Sequence, residues 1–155
     1  MTWILAIKDD GIIAFTILDH NLKVDDYLEF LHKIKLETDK DHIEKVAVFY
    51  DGLAVHTSRA ATSLIRDWKW IGILNVAYRY QYNPVQYAFA MIKGAYFNSN
   101  LTSKLNPIFD PEGRIDKLKI IGNVENAYYK YRKYNFTSFI AQSRGEMIRD
   151  LDINL

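Results

Sequence analysis

The sequence contains no cysteine and no long apolar run. The absence of cysteine excludes a disulfide framework, thiol catalysis and every zinc site built on thiolate ligands. A membrane-spanning helix needs roughly 20 consecutive apolar residues, and no stretch of this chain approaches that length. The first residues lack the basic start and the small-residue cleavage site of a secretory signal. We therefore expect an intracellular protein with no membrane role.

What the sequence does contain indicates a folded domain with a sizeable core. Its 155 residues are 49% hydrophobic, 25% charged and 14% aromatic, which excludes intrinsic disorder, collagen-like repeats and a coiled coil. A chain of this length buries roughly 68–70% of its unfolded surface on folding. We expect residues 1–155 to form a single domain.

The net charge of +1 conceals an uneven distribution along the chain. Residues 1–51 have a net charge of −5, whereas residues 52–109 have a net charge of +5. If its basic side chains share one face, the second segment would attract a polyanion such as a nucleic acid. A scatter of solvated side chains is the alternative. The candidate nucleic-acid-binding residues are Arg59, Arg66, Lys69, Arg79 and Lys93.

The start of the chain predicts a β-hairpin followed by a helix. Two short apolar runs, residues 3–7 and 12–18, flank the turn sequence Asp9-Asp10-Gly11, and glycine tolerates the positive φ of a tight turn. Over residues 24–36 apolar side chains recur at three- and four-residue steps. Two aspartates begin this segment, as the helix dipole favours, so we expect an amphipathic helix.

Two further strands are predicted in the middle of the chain. Residues 45–50 form an apolar run that ends at Asp51, and residues 71–76 form another. Both runs are typical of buried strands. Ser58 can cap a helix between them, which we expect to run to about Trp68.

The second half of the chain is predicted to be mainly helical. Asn83 and Pro84 open a helix, because asparagine is a favoured N-cap and proline fits the first helical position. Gln86 lies three residues after Asn83, so the pair predicts a capping box. Residues 98–113 predict a loop, and residues from about 124 to 150 predict helix with one break. Strands that alternate with helices after a hairpin predict an α/β fold with a mixed sheet.

Two segments of this chain resemble the catalytic core of mariner-type transposases, in the DDE endonuclease superfamily. The strand end at Asp51, with His56 behind it, is similar to the family's Asp-Asn-Ala-x-x-His stretch. The helix start at Asn83 and Pro84 is similar to the family's Asn-Pro-x-Glu motif, with Gln86 at the position of the third acid. Thirty-four residues separate Asp51 from Gln86, a spacing typical of one branch of the superfamily.

The resemblance covers about residues 3–100 and implies a ribonuclease-H-like fold that cuts and joins DNA with two divalent metal ions, Mg²⁺ or Mn²⁺. In such a site Asp51 is a catalytic residue and a metal ligand. Hard cations prefer oxygen ligands, and two ions about 4 Å apart need negative charge from the protein. The resemblance also implies DNA as a partner and, for a eukaryotic transposase, a nuclear location.

Two departures from the family pattern predict that this chain is catalytically inactive. The neutral amide of Gln86 keeps the shape of a glutamate but supplies no charge. The family's first Asp lies on a strand before the hairpin, and this chain starts at the hairpin. Asp9 and Asp10 cannot replace it, because their turn should lie at the end of the sheet opposite Asp51. One carboxylate of three remains, so we expect the chain itself to bind no metal.

The absent strand is the central one of a ribonuclease-H-like sheet. It would lie between the first strand of this chain and the strand that ends at Asp51. Its absence leaves two edges with unpaired N–H and C=O groups, which must close on each other or recruit a strand. We therefore expect an incomplete mixed sheet flanked by helices, a helical C-terminal tail, and self-association through the unpaired edges.

Three functions remain open on the sequence. The first, which the sequence favours, is a partial DDE transposase catalytic domain that is inactive and binds nucleic acid, with residues 1–100 as its core and residues 101–155 as a loop and helical tail. The second is an active metal-dependent DNA strand-transferase, completed by a missing N-terminal segment. The third is a domesticated interaction module with no catalytic role.

Overall fold

The computed structural model describes residues 1–102, 112, 114 and 116–150. The elements follow the predicted order of a hairpin, then helices alternating with two strands, then a helical C-terminal part. Within the described ranges no helix is both long and apolar enough to cross a membrane. The elements are β1 (Thr2–Lys8), β2 (Gly11–Leu18), α1 (Val24–Lys40), β3 (Ala47–Tyr50), α2 (Arg59–Asp67), β4 (Ile71–Leu74), a 3₁₀ turn (Tyr80–Tyr82), α3 (Val85–Thr102), α4 (Lys117–Tyr131) and α5 (Thr137–Asp150).

β1 and β2 form the predicted antiparallel hairpin, and Lys8 pairs with Gly11 beside the turn. α1 begins after Lys23, whose backbone N–H donates to the carboxylate of Asp26 at 2.9 Å. This bond satisfies one of the donors that every helix start leaves unpaired. The prediction of a helix from residue 24 is confirmed, and the helix runs one turn further than expected.

β3 and β4 form a separate, parallel pair that α2 connects. The Ser58 hydroxyl accepts a hydrogen bond from the backbone N–H of Ala61 at 3.2 Å, which is the geometry of an N-cap. α2 then ends at Asp67, and Trp68 is its C-cap. The predicted start and end of this helix are therefore confirmed.

The two strand pairs do not join into one sheet. The outer side of β2 is occupied by the segment between α4 and α5, where the Ile12 N–H donates to the Arg132 carbonyl at 2.9 Å. The free side of the hairpin is therefore that of β1. Within the described residues no backbone hydrogen bond joins β1 to β3, so the two edges that the sequence predicts to close on each other or recruit a strand have not paired with each other.

One hydrophobic cluster connects both strand pairs through α1 and α2. Leu31 of α1, which is 0% exposed, lies at its centre with Ile4 of β1 and Ile65 of α2. Val48 and Tyr50 of β3 pack against the same cluster. The two helices thus hold the hairpin and the parallel pair on one face, although β1 and β3 are not hydrogen-bonded to each other.

A second cluster covers the opposite face of the hairpin with α3, α4 and the segment that leads into α5. Leu5 of β1 packs there with Ile92, Val124 and Phe136, and these last three side chains are 0% exposed. The alternation of Ile4 and Leu5 between the two clusters follows from the two-residue repeat of a strand.

The C-terminal helices dock on the hairpin at Gly11. The Ile12 N–H donates to the Arg132 carbonyl, and the Phe136 N–H donates to the Asp9 carbonyl at 2.7 Å. A Cβ atom at position 11 would lie 2.5 Å from the Arg132 oxygen, which is far inside contact distance. Glycine is therefore required here by close approach of the backbone.

The prediction that both middle strands are buried is wrong. All four residues of β4 are exposed, with Ile71 at 64% and Leu74 at 53%, and no residue of β3 is fully buried. β4 lies on the outer side of its pair, and α3 and α4 cover the hairpin instead of this pair. β3 is half-buried because Val48 and Tyr50 pack on the cluster that α1 and α2 form.

Two predicted boundaries in the second half are also wrong. α3 continues to Thr102, so the first part of the loop expected over residues 98–113 is helical, and residues 103–111 and 113 lie outside the described residues. α4 begins at Lys117, earlier than the expected start near residue 124, because the carboxylate of Asp116 accepts from two backbone N–H groups, each at 3.1 Å. The expected break is confirmed between α4 and α5.

Candidate functional site

One cleft of about 380 Å³ lies at the carboxyl ends of β3 and β4, against the start of α3. The carboxyl ends of parallel strands meet at one edge of a sheet, which is where α/β proteins bind ligands. Asp51 follows β3, Asn75 follows β4, and both line the cleft together with Asn83 and Gln86. The structure therefore brings Asp51 close to Gln86, as the family motif implies.

The side chain of Asp51 is hydrogen-bonded to two residues of the loop that follows it. The ring Nδ1 of His56 lies 2.7 Å from Oδ1 of Asp51, and the Leu53 N–H donates to the same oxygen at 3.2 Å. A carboxylate only accepts, so His56 carries its proton on Nδ1. The bond from His56 lowers the pKa of Asp51 below its ordinary value of 3.8; partial burial opposes this shift, and the Leu53 N–H adds to it. Asp51 is thus an ionised carboxylate at neutral pH with one oxygen already committed.

His56 is fixed by aromatic neighbours as well as by Asp51. Its side chain is 14% exposed, and its ring centroid lies 4.4 Å from that of Tyr27 and 6.4 Å from that of Tyr50. Burial, with smaller effects from Tyr50 and Asp51, raises the pKa of Tyr27. The Asp51–His56 contact therefore anchors the loop before α2 to the hydrophobic cluster beneath it.

Asn75 forms the opposite wall of the cleft and is 8% exposed. Its backbone N–H donates to the Tyr50 carbonyl at 2.8 Å, and its side-chain Nδ2 donates to the Arg79 carbonyl at 2.9 Å. These bonds close a turn in which Tyr78 has a φ of 61° and is 99% exposed. Sequence reasoning missed Asn75, although an asparagine directly after a strand is a recognisable turn residue.

Asn83 caps α3 as predicted, because its Oδ1 accepts from the Val85 N–H at 3.2 Å while Pro84 lies between them. The predicted capping box is wrong. The Asn83 backbone N–H donates to the Tyr80 carbonyl at 2.9 Å, so this donor is not available to the side chain of Gln86. The side chain of Gln86 is exposed at the cleft and has no hydrogen-bond partner among the described residues, while its backbone N–H donates to the Asn83 carbonyl at 3.1 Å.

α5 reaches the back of the same turn. The Tyr82 hydroxyl donates to the Asp150 carboxylate at 2.9 Å, and Nη1 of Arg79 lies 3.6 Å from the same oxygen. Burial and, second, the bond to Asp150 raise the pKa of Tyr82. No local pattern connects residues so far apart in the chain, so these contacts were beyond sequence reasoning.

The five candidate nucleic-acid-binding side chains do not all lie at the edge of the β3–β4 pair where Asp51 is found. Arg59 begins α2 at the Asp51 edge, and Arg79 lines the cleft. Lys93 lies at an adjoining cleft of about 420 Å³ that shares Gln86. Arg66 and Lys69 lie at the other end of α2, next to the start of β4. Arg59 and Arg79 therefore lie at the Asp51 edge, Lys93 lies at the adjoining cleft, and the other two basic residues are remote from both.

The hairpin turn lies at the end of the sheet opposite Asp51, as expected. Nζ of Lys8 lies 2.5 Å from the carboxylate of Asp41 and 3.4 Å from that of Asp10. Asp41 ends α1, just before the chain enters β3. Asp9 and Asp10 are therefore near the start of β3, whereas Asp51 follows its end.

Comparisons with known proteins find a match in structure only. No family model matches the sequence, and no curated protein sequence matches it. The Mos1 transposase catalytic domain with Raltegravir and Mg matches with a TM-score of 0.69 at 16% identity, over 99% of this chain and 75% of that one. The Mos1 transposase paired-end complex with left transposon end matches with a TM-score of 0.69 at 16% identity, over 93% of this chain and 40% of that one.

The chain has the fold of the Mos1 transposase catalytic domain. The mixed α/β architecture of the ribonuclease-H-like type, with a helical C-terminal region, is thereby confirmed. The predicted resemblance to the catalytic domain of a mariner-type DDE transposase is also confirmed as a likeness of fold.

The cleft residues of this chain do not fit a pair of divalent ions, although matching Mos1 structures contain Mg or Mn. Within the described ranges no group of three or more histidine, aspartate and glutamate side chains is placed to hold a metal ion. Asp51 is the one carboxylate among the residues lining the cleft, and Gln86 is neutral. A charge of this size cannot offset the repulsion between two divalent ions.

Proposed function

We propose that this chain is a partial DDE transposase catalytic domain that is catalytically inactive and binds DNA along the Asp51 edge of its sheet. The observation that carries the proposal is the cleft itself, where Asp51 faces Gln86 and is the one lining carboxylate in the described part of the chain. That both residues line one cleft supports the proposal, and the charge that two-metal chemistry would need is missing there.

The loss of activity is supported by what Asp51 does in this structure. Two-metal catalysis needs carboxylates that hold both ions and stabilise the attacking and leaving oxygens. Here Oδ1 of Asp51 accepts from His56 and from Leu53, and the amide of Gln86 contributes no charge. We derive no step through a metal ion for this chain.

DNA binding is supported by basic side chains near the cleft and by one of the matching solved structures. Arg59, Arg79 and Lys93 are exposed near the cleft, although Arg79 is partly neutralised by Asp150. The matching Mos1 paired-end complex contains a transposon end. Contacts of lysine and arginine with phosphates release counterions, so affinity for DNA should fall steeply as salt rises. A nuclear location would follow if the chain acts on DNA in a eukaryotic cell.

The experiment that tests DNA binding is fluorescence anisotropy with a labelled duplex over a series of salt concentrations. Replacing Arg79 and Lys93 by alanine should lower the slope of log Kd against log salt by about 2, since each lost phosphate contact contributes about 1. The matched control replaces Arg66 and Lys69 by alanine, at the remote end of α2, and should leave the slope unchanged. A flat salt response of the unmodified chain would refute electrostatic DNA binding.

Inactivity is tested separately, by incubating the chain with a supercoiled plasmid in Mg²⁺ or Mn²⁺. We expect no nicking above the level of an Asp51→Ala variant. Nicking that Asp51→Ala abolishes would refute the proposal and favour the strand-transferase alternative. The variant Gln86→Glu restores the charge at position 86, and it should remain inactive because only two carboxylates would then be among the described residues that line the cleft.

The second candidate, an interaction module with no nucleic-acid role, is favoured by one observation. Arg66 and Lys69 lie at the end of α2 remote from the cleft, so the basic segment does not form one continuous face. If both double variants weaken DNA binding equally, the cleft has no special part in it. If the unmodified chain does not bind the labelled duplex at any salt concentration, the interaction module becomes the better account.

A further inference from the structure

The end of α5 places a carboxylate against one of the basic side chains that line the cleft. Oδ2 of Asp150 lies 3.6 Å from Nη1 of Arg79, and the Tyr82 hydroxyl donates to the same oxygen at 2.9 Å. Arg79 lines the cleft that also contains Asp51. A guanidinium binds the oxygen atoms of a carboxylate and of a phosphate in the same way. Asp150 therefore occupies Arg79 with a group that resembles a DNA phosphate.

The backbone of Arg79 is fixed, so a change of partner involves its side chain alone. Its N–H donates to the Val76 carbonyl at 3.2 Å. Its carbonyl accepts from Nδ2 of Asn75 at 2.9 Å and from the Tyr82 N–H at 3.1 Å. The side chain, in contrast, is 50% exposed, and exposed side chains change rotamer within nanoseconds. Arg79 can thus turn from Asp150 to a phosphate while the turn keeps its shape.

The two contacts of Asp150 differ in kind. The distance of 3.6 Å to Arg79 exceeds the range of an N–H···O hydrogen bond, whereas the distance of 2.9 Å to Tyr82 lies within the range of an O–H···O bond. When Arg79 leaves, Asp150 keeps its bond to Tyr82. The Asp150 side chain is also 34% exposed, so its charge remains hydrated. Release of Arg79 therefore strands no buried charge.

α5 is held in place by contacts that do not involve Arg79. The ring of Phe139 on α5 stacks on that of Tyr87 on α3, with centroids 4.6 Å apart and planes 5° apart. Phe139 and Ile140 also pack against the second hydrophobic cluster. The helix thus keeps Asp150 beside the cleft whether or not Arg79 contacts it, and the carboxylate remains a permanent competitor for that side chain.

We propose that Asp150 is an autoinhibitory residue for DNA binding. Its carboxylate occupies the Arg79 side chain in the free protein, and a DNA phosphate displaces it. Each duplex that binds has to break the Arg79–Asp150 ion pair, so affinity for DNA is lower than the basic side chains alone would give. The inference rests on the proposed binding of DNA at the Asp51 edge.

The experiment is fluorescence anisotropy of the whole chain with a labelled duplex at low salt. The variant Asp150→Asn removes the charge but keeps an oxygen that accepts from the Tyr82 hydroxyl. It should lower the Kd for the duplex by about two- to fivefold, the range expected when an exposed ion pair no longer has to be broken.

Two control variants remove one negative charge elsewhere. Glu146→Gln changes a residue one turn earlier in α5, whose carboxylate accepts from Nε2 of Gln142 at 3.1 Å. Asp67→Asn changes the last residue of α2, at the end remote from the cleft. Both should leave the Kd nearly unchanged. A gain in Glu146→Gln as large as that in Asp150→Asn would assign the effect to the general charge of α5 and overturn the proposal.

The same substitution in an Arg79→Ala background tests the mechanism. If Asp150 acts by occupying Arg79, Asp150→Asn should not change the Kd when Arg79 is absent. An equal gain with and without Arg79 would mean that Asp150 simply repels DNA, and the autoinhibitory role would be rejected.

The remaining outcomes separate this inference from the function on which it rests. Salt-dependent binding that is the same in the unmodified chain and in Asp150→Asn would overturn the role of Asp150 and leave the proposed function intact. Binding by Asp150→Asn alone would support the autoinhibitory role. Failure of both proteins to bind the duplex at any salt concentration would overturn the inference together with the proposed DNA binding.

Discussion

The contact between Asp51 and His56 should stabilise the fold, whatever function the cleft retains. Replacing Asp51 by alanine removes the acceptor for His56 and for the Leu53 N–H. Replacing His56 by alanine removes the same contact and also the packing on Tyr27. A double-mutant cycle subtracts the unshared losses and leaves the energy of the Asp51–His56 pair.

The magnitude follows from the exposure of the two side chains. A hydrogen bond to a charged group is worth about 1.5–3 kcal/mol when well shielded. The His56 side chain is 14% exposed but that of Asp51 is 42% exposed, and solvent screening reduces such pairs toward about 1 kcal/mol. We expect a coupling energy of about 1 kcal/mol at neutral pH. For a domain of this size that corresponds to a shift of about 2–4 °C in Tm.

The coupling energy should also depend on pH in one direction. The folded pKa of Asp51 is lowered below 3.8, chiefly by His56. A carboxylate with a lowered folded pKa contributes stability that is present above its unfolded pKa and is lost as the pH falls through its folded pKa. The contribution of the Asp51 carboxylate should therefore be present above about pH 3.8 and should be lost as the pH falls from there through the lower folded pKa of Asp51.

The assay is urea unfolding of the four proteins of the cycle, followed by circular dichroism at each pH. A coupling energy of zero at neutral pH would mean that the pair does not hold the loop and that Asp51 is free for another role. A coupling that grows as the pH falls below 3.8 would contradict the direction of the Asp51 pKa shift and refute the reasoning.

Three further predictions concern the fold and use the same unfolding assay. Leu31→Ala should lower the free energy of unfolding by about 2–5 kcal/mol because Leu31 is 0% exposed. The control Leu36→Ala, at a residue 60% exposed on the same helix, should change it by at most about 0.5 kcal/mol. Equal losses would contradict the placement of α1. Gly11→Ala should destabilise the fold by about 1–3 kcal/mol because the new Cβ would collide with the Arg132 carbonyl. The control Gly122→Ala, with open space around it, should stabilise the fold by about 0.5–1 kcal/mol. A Gly11→Ala variant of unchanged stability would rule out the close docking of α4. Ser58→Ala should cost about 1 kcal/mol through loss of the helix cap, and an unchanged midpoint would mean that the cap is not formed.

The helices and the hairpin could be predicted because their signals are local. The periodicity after residue 24, the turn at Gly11 and the caps at Ser58 and Asn83 each depend on residues within a few positions of one another. The starting residue of α4 could not be predicted as well, because Asp116 follows a segment without periodicity. Burial of β3 and β4 was predicted wrongly, since a short apolar run does not reveal whether anything covers it.

The candidate site could be predicted only in part. Asp51 and Gln86 were found through the family motif, and the structure places them at one cleft. Asn75 was missed although its turn with Arg79 is local, whereas the contact of Arg79 with Asp150 could not be found because it joins residues through the tertiary fold. The capping box at Gln86 failed for a local reason, since the Tyr80 carbonyl of the preceding 3₁₀ turn takes the backbone donor of Asn83 that the motif requires.

The sequence by itself determined the chemical inventory of the cleft, because a neutral glutamine at position 86 and the absence of cysteine hold in any conformation. It also determined the order of the elements, through local periodicity and caps. Only the tertiary structure decided that the basic side chains divide between two edges and that the strand edges stay open. Both depend on how distant segments pack on α1 and α3, and pairing between strands is set by long-range contacts that no local pattern encodes.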